Sequence, residues 1–454
     1  MTKLEKIKNK LGKKFVNAWE QGDTYKKQAF VFAEKYKEFL NSCKTERETI
    51  DFIQNEFSKK KRKNDFFIIN RGKNIAIVRL GKDNGMKLIA SHVDAPRIDI
   101  KQNPLFEDTE IAMFHTHYYG GIKKYQWLNI PLAMHGLIVK SDGSKLYINV
   151  GESEDDPVFV IPDLLPHLSH KAVDDKKVKD AFEGDKLNLI VGGIPISDEE
   201  KENVKWGVMD ALHNKYGLIE EDFVSAEIEI VPALKPRDLG FDKGFVASYG
   251  QDDRICAYCS KEAFFDIKDN SKTIVALFID KEEIGSDGNT GAKSRFFMDI
   301  VVEILKAKNS KATMNDINEF LSSSEALSAD VNGAVNPMYK DVHEKDNASY
   351  INHGVVVTKF TGHGGKYMAN DANAEFVGKI RKIFNDNGVV WQIGELGKVD
   401  EGGGGTIAKY IASWNIDTID CGPALISMHS PYEISSKADL FETYKAYKAF
   451  FGSL

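Results

Sequence analysis

Two adjacent carboxylates, Glu282 and Glu283, follow the apolar run Thr273 to Ile279 and lead into the turn Ile284-Gly285-Ser286. Such a run reads as a fully buried strand, and ligands in open α/β sheets collect at the carboxyl ends of strands. Two glutamates placed there can divide the work of metal ligand and general base. His92 and Asp94 end a second apolar run, Met86-Lys87-Leu88-Ile89-Ala90. They suit metal ligation, with Asp94 holding the second ring nitrogen of His92. They equally suit a core histidine satisfied by a neighbouring carboxylate. Asp252, Asp253 and Arg254 precede the helix-like stretch Ile255 to Phe265. One of these carboxylates can bridge two ions while Arg254 offsets surplus charge, or the aspartates can cap the helix. Asp330 follows Ser328-Ala329, and His429 follows the apolar stretch Thr418 to Ile426. His92, Asp252, Glu283, Asp330 and His429 together make a set of two histidines and three carboxylates, which zinc, manganese or cobalt accept in a dinuclear site.

The elements that must position these groups are legible in outline. The 454 residues, 42% hydrophobic and 28% charged, fit a globular chain of about two domains. A net charge of −7 gives no field for gripping nucleic acid. Four cysteines are too few for a disulfide framework and read as reduced, buried thiols. The start carries no apolar signal core and no run is long enough to span a membrane, so a cytoplasmic location is expected. Residues 4–57 read as two or three surface helices, and the basic run Lys59 to Lys63 as a solvated turn. Strands are expected at 65–70 and 74–80. Between about 102 and 236, short alternating runs among turn residues predict a mainly β insertion. After Gly240, apolar strands alternate with helical stretches at 292–306, 369–384, 405–413 and 437–450, the mark of an α/β layered domain. The expected division is therefore 1–101 with 237–454 as one unit and 102–236 as the insertion.

The strings His92-Val93-Asp94-Ala95-Pro96-Arg97, Asp252-Asp253-Arg254, Asp280-Lys281-Glu282-Glu283-Ile284-Gly285-Ser286, Ser328-Ala329-Asp330 and Ser427-Met428-His429-Ser430 resemble, in order, the M18 family of metalloaminopeptidases, the aspartyl aminopeptidase group. The resemblance implies a zinc-exopeptidase-like α/β/α catalytic domain and an inserted mainly β domain that serves oligomerisation. It implies two divalent ions, zinc first, with manganese or cobalt as alternatives. His92 and Asp330 would hold one ion, Glu283 and His429 the other, with Asp252 bridging. Glu282 would be the general base and then acid, Asp94 would support His92, and the Asp252-Asp253 peptide would be cis. Substrates would be peptides, attacked at the N-terminal residue. The resemblance also implies a homo-oligomer, the tetrahedral dodecamer of relatives, in which His167 of the insertion reaches a neighbouring subunit's site as an oxyanion donor. For an acidic first residue Lys366 is the candidate cation, against its reading as an exposed loop lysine. Asp253 departs from the mammalian-type pattern, which has asparagine there.

Other readings compete. An M42-type peptidase would share the metal core, but the long insertion argues against it. A non-catalytic shell-forming scaffold would have little use for Glu282 beside a complete ligand set. The run Gly402 to Gly405 lacks the lysine of a phosphate-binding loop, so it reads as backbone lining the substrate cleft. His115, His117, His135, His353 and His363 read as structural.

Overall fold

The computed structural model describes residues 2–13, 15–197 and 201–453. Its central element is an eight-stranded sheet in the order Asp65–Asn70, Asn74–Arg79, Thr273–Ile279, Met86–His92, Glu325–Ser328, Asp417–Gly422, Val355–Thr358 and Trp391–Ile393. From Thr273–Ile279 to Asp417–Gly422 the four middle strands are parallel. Both faces of these strands are covered, which is why they read as continuous apolar runs. Alternate side chains enter opposite layers. Ile274, Ala276 and Phe278 meet the core under the helices Asp23–Ser42, Glu46–Lys60, Gln251–Asp266, Ala374–Asp386 and Lys437–Gly452. Val275, Leu277 and Ile279 meet a second core under Phe296–Ala307 and Met314–Ser322. The result is the expected α/β/α arrangement.

The expectation of surface helices over 4–57 holds for Lys3–Leu11, which buries no residue. It fails for the next two helices. Tyr36, Phe39, Ile50, Ile53 and Phe57 are all buried, and the lysines and glutamates that suggested exposure occupy only the outer faces. Thr45 and Glu48 start the second of these with a capping box. The basic run Lys59 to Lys63 is exposed, as expected, and within it Arg62 also donates to the carbonyls of Ile267 and Phe265 at 2.6 and 3.2 Å.

A six-stranded sheet stands apart, in the order Lys145–Val150, Leu132–Val139, Ala226–Pro232, Arg97–Asp108, Ile111–Tyr119 and Leu189–Gly192. It has its own core of residues such as Ile98, Phe114, Trp127 and Ile230. Its first strand begins at Arg97, ahead of the change in sequence texture near Gln102. The helix Asn203–Tyr216 within this region is unexpected from the sequence reading, although Val204, Val208, Met209 and Leu212 face the core at helical spacing. A third, five-stranded sheet contains the hairpin Ala424–Ile426 and Glu433–Ser436. All four cysteines are buried and free. Among the described residues no helix is long and apolar enough to cross a membrane.

Candidate active site

Three neighbouring parallel strands end at one place. His92 closes Met86–His92, Glu282 and Glu283 occupy the turn after Thr273–Ile279, and Asp330 lies just past Glu325–Ser328. Asp252 enters from the start of the helix Gln251–Asp266, joined to Asp253 by a cis peptide. His429 comes from the hairpin turn after Ala424–Ile426. His92, Asp252, Glu282, Glu283, Asp330 and His429 line one cleft of about 280 Å³.

His92 Nε2 lies 3.1 Å from Asp252 Oδ1 and 3.9 Å from Asp330 Oδ1. His429 Nε2 lies 3.3 Å from Asp252 Oδ2 and 3.4 Å from Glu283 Oε1. Each carboxylate oxygen of Asp252 therefore faces a different histidine. Ligand-type atoms of His92, Asp252 and Glu283 all fall within 4.8 Å of one another, and so do those of His92, Asp253 and Asp330. Asp253 is thus closer to the centre than the sequence reading allowed.

A second layer holds these groups. Asp94 is 1% exposed. Its Oδ1 sits 3.3 Å from His92 Nδ1 and accepts the Glu282 amide at 3.1 Å. Its Oδ2 accepts the Glu283 amide at 3.2 Å and the Tyr119 hydroxyl at 2.9 Å. The backbone carbonyl of Asp94 also lies 3.0 Å from His92 Nδ1. On the other side, the Gly121 carbonyl lies 3.0 Å from His429 Nδ1. Glu433 accepts the amides of His429 at 2.7 Å and Asp252 at 3.1 Å. Both rings are held at Nδ1, which leaves Nε2 directed at the carboxylates. Tyr119, Gly121 and Glu433 escaped the sequence reading. Only Glu433, four residues after His429 on the same hairpin, carried a local signal.

The electrostatics fit a divalent cation. Burial, with Asp252 adding repulsion, drives Glu283 well above the usual carboxylate range. Burial does the same to Asp330, against attraction from His92. Burial also pushes Glu282 up to about 7, opposed by His92 and reinforced by Asp94 and Asp252. His429 is raised to about 10: burial opposes its charge, but Asp252 and Glu283 outweigh it. So many carboxylates in a small volume need positive charge, which protons supply poorly and metal ions supply well. The Glu283 Oε1 and Asp253 Oδ1 atoms are buried without a hydrogen-bond donor, as unused ligand atoms would be. The donor set of imidazole and carboxylate suits zinc and its neighbours.

Lys366 lines the cleft, yet its side chain is 43% exposed, pairs with Asp371 at 3.1 Å and lies 4.1 Å from the centroid of the Phe360 ring. His167 is exposed on the short helix Pro166–Ser169 and does not line the cleft. Gly402, Gly404 and Gly405 form part of the cleft wall. A Cβ on Gly403 would sit 1.9 Å from the Gly362 carbonyl, so this close backbone approach needs glycine.

Histidines and carboxylates gathered in one cleft at the carboxyl ends of parallel strands, inside an α/β/α sandwich, define a metal-dependent hydrolase. The sequence pattern described as Aminopeptidase I zinc metalloprotease (M18) matches residues 37–451, and the chain belongs to the M18 family of aminopeptidases. It is accordingly a peptide hydrolase of a zinc metalloprotease family, and the M42 alternative falls away. A probable M18 family aminopeptidase 1 of Thermotoga maritima is 49% identical over 446 residues, covering 95% of this chain and 98% of that protein. The solved structure of an M18 aminopeptidase from Thermotoga maritima superposes with a TM-score of 0.94 at 48% identity, covering 97% of this chain and all of that one. Aminopeptidase I from Clostridium acetobutylicum gives 0.91 at 44% identity, with 97% and 100% coverage.

Proposed function

We propose that this enzyme releases N-terminal residues from peptides with a pair of divalent ions, zinc first and manganese or cobalt as substitutes. His92 and Asp330 would hold one ion and Glu283 and His429 the other, with Asp252 able to serve both. The observation that carries this reading is the placement of the two Asp252 oxygens, one toward each histidine. When bound, the ions polarise the scissile carbonyl and lower the pKa of a water toward neutrality. Glu282, in the same cleft wall, takes a proton from the attacking water and returns it to the leaving amine. Asp94 keeps His92 oriented throughout by holding Nδ1. Glu433 holds the backbone of Asp252 and His429 in register.

The six-stranded sheet and its flanking segments, the expected insertion of residues 102–236, are assigned to assembly. Leu164, Leu165 and Leu168 are 39%, 49% and 65% exposed around His167, an apolar edge suited to cover by another subunit. In a homo-oligomer, up to the expected dodecamer, His167 would meet a neighbour's cleft and donate to the developing oxyanion. For the first residue of the substrate, we assign acceptance of acidic side chains without a requirement for them. Lys366 is already compensated by Asp371, and Val331, Phe360, Leu396 and Met428 give the same cleft apolar walls. The test is a panel of aminoacyl chromogenic substrates with chelator-treated protein restored by zinc, manganese or cobalt. Metal-dependent release from several residue types is expected, with Lys366→Ala changing the ratio of aspartyl to leucyl turnover by no more than a few fold. No metal-dependent release from any substrate would sink the reading.

A further inference from the structure

One short segment of the six-stranded sheet touches both halves of the site. The ladder between Arg97–Asp108 and Ile111–Tyr119 pairs Arg97 with Tyr119, which places Tyr119 beside the strand that leaves Asp94. The Arg97 guanidinium lies 3.9 Å from the centroid of the Tyr119 ring. It is itself fixed by Asp99 at 2.8 Å, Glu229 at 3.2 Å and Glu46 at 3.6 Å. So clamped, Tyr119 donates its hydroxyl to Asp94 Oδ2, the carboxylate that meets His92 Nδ1 and both glutamate amides. Two residues later the Gly121 carbonyl meets His429 Nδ1. Between them Gly120 has φ +72°, and a Cβ there would stand 3.3 Å from Glu283 Cβ; a Cβ on Gly121 would stand 3.3 Å from His429 Nδ1. The backbone therefore passes so close to the site that a side chain would have to push Glu283 or His429 aside by a few tenths of an ångström.

We infer that Tyr119-Gly120-Gly121 is a positioning strap that orients both histidines at once, His92 through Tyr119 and Asp94, and His429 through the Gly121 carbonyl. Its consequence is that the six-stranded sheet builds the metal centre of its own subunit. The Arg97 clamp then ties that sheet mechanically to the site. This inference rests on the two-ion reading above.

The test uses full-length Tyr119→Phe and Gly121→Ala beside the unaltered enzyme. Metal affinity is read by competition with a chromogenic chelator, ligand geometry by the visible spectrum of the cobalt-loaded protein, and turnover as kcat and KM on one aminoacyl substrate. Outer partners of ligating histidines are worth about 10- to 100-fold in affinity or activity. Tyr119→Phe, one bond further out than Asp94, is expected to lose up to about 10-fold in metal affinity or kcat, with KM and the metal-free melting temperature little changed. The cobalt spectra of the two variants should shift differently, since each disturbs a different histidine. Both variants matching the unaltered enzyme in affinity, spectrum and kcat would overturn the strap. An unaltered enzyme that binds no metal would instead sink the two-ion reading itself. Should Tyr119→Phe fail to fold, Gly121→Ala alone decides, by a changed or unchanged cobalt spectrum.

Discussion

Replacing Asp94 by asparagine isolates the support of the metal centre from the centre itself. The carboxylate accepts from three donors, the Glu282 amide at Oδ1 and the Glu283 amide and Tyr119 hydroxyl at Oδ2, and its Oδ1 lies 3.3 Å from His92 Nδ1. Asparagine keeps one acceptor oxygen and turns an NH₂ toward the other pair. His92 Nδ1 keeps the Asp94 backbone carbonyl and the Tyr119 hydroxyl can turn to accept from the NH₂, so one buried amide loses its acceptor, at about 1–3 kcal/mol. The expected result is loss of that stability in metal-free protein, read by denaturant unfolding. A 10- to 100-fold weaker metal affinity, read by chelator competition, should accompany it. Glycine-like disorder is not expected, because the His92 backbone remains fixed in its strand and its amide lies 3.3 Å from Asp253 Oδ2. An Asp94→Asn protein within about 0.5 kcal/mol of the original in stability, and equal in metal affinity, would refute the support role.

Two further outcomes follow from other parts of the molecule. His135 is 2% exposed and lies between Glu48 at 2.7 Å and Glu152 at 3.0 Å. Burial opposes its charge, but the hydrogen bonds to Glu152 and Glu48 outweigh it and raise its pKa above 6.5. A raised basic group stabilises fully below its unfolded pKa and loses that contribution as pH climbs through the folded one. The unfolding free-energy gap between the original and His135→Gln should therefore be widest below pH 6.5 and narrow as the solution becomes alkaline; a gap independent of pH would contradict this. Leu168→Glu, on the exposed apolar edge near His167, should lower the mass seen by light scattering and reduce turnover with it, whereas unchanged mass would remove that edge from the assembly surface.

Much of the site was legible because its ligands stand at strand ends. The apolar runs before His92 and Glu282 announce buried parallel strands, and their chemistry begins where the runs stop. Asp252, Asp330 and His429 are weaker signals alone and gain meaning only as an ordered set. What stayed hidden depends on register and tertiary approach. Tyr119 reaches Asp94 only because Arg97 pairs with it across the ladder, and Gly121 acts through a carbonyl that no side-chain pattern reports. The helices Asp23–Ser42 and Glu46–Lys60 read as surface elements in the sequence because their charged faces dominate the composition. Their aromatic faces are buried, with Tyr36 and Phe39 against Tyr258 of the helix Gln251–Asp266 and Phe57 against Phe67 of the sheet. Asn203–Tyr216 was missed among strands because its apolar face is narrow, with Val204 and Met209 its only buried residues.

The claim that Glu283 holds metal while Glu282 carries protons is tested most directly by counting metal bound per chain in Glu282→Gln and Glu283→Gln beside the unaltered enzyme. The account predicts two ions in the original, and two in Glu282→Gln with turnover reduced by about 10²- to 10⁴-fold. Glu283→Gln should lose an ion as well as activity. Loss of metal from Glu282→Gln, or full metal occupancy in Glu283→Gln, would contradict it.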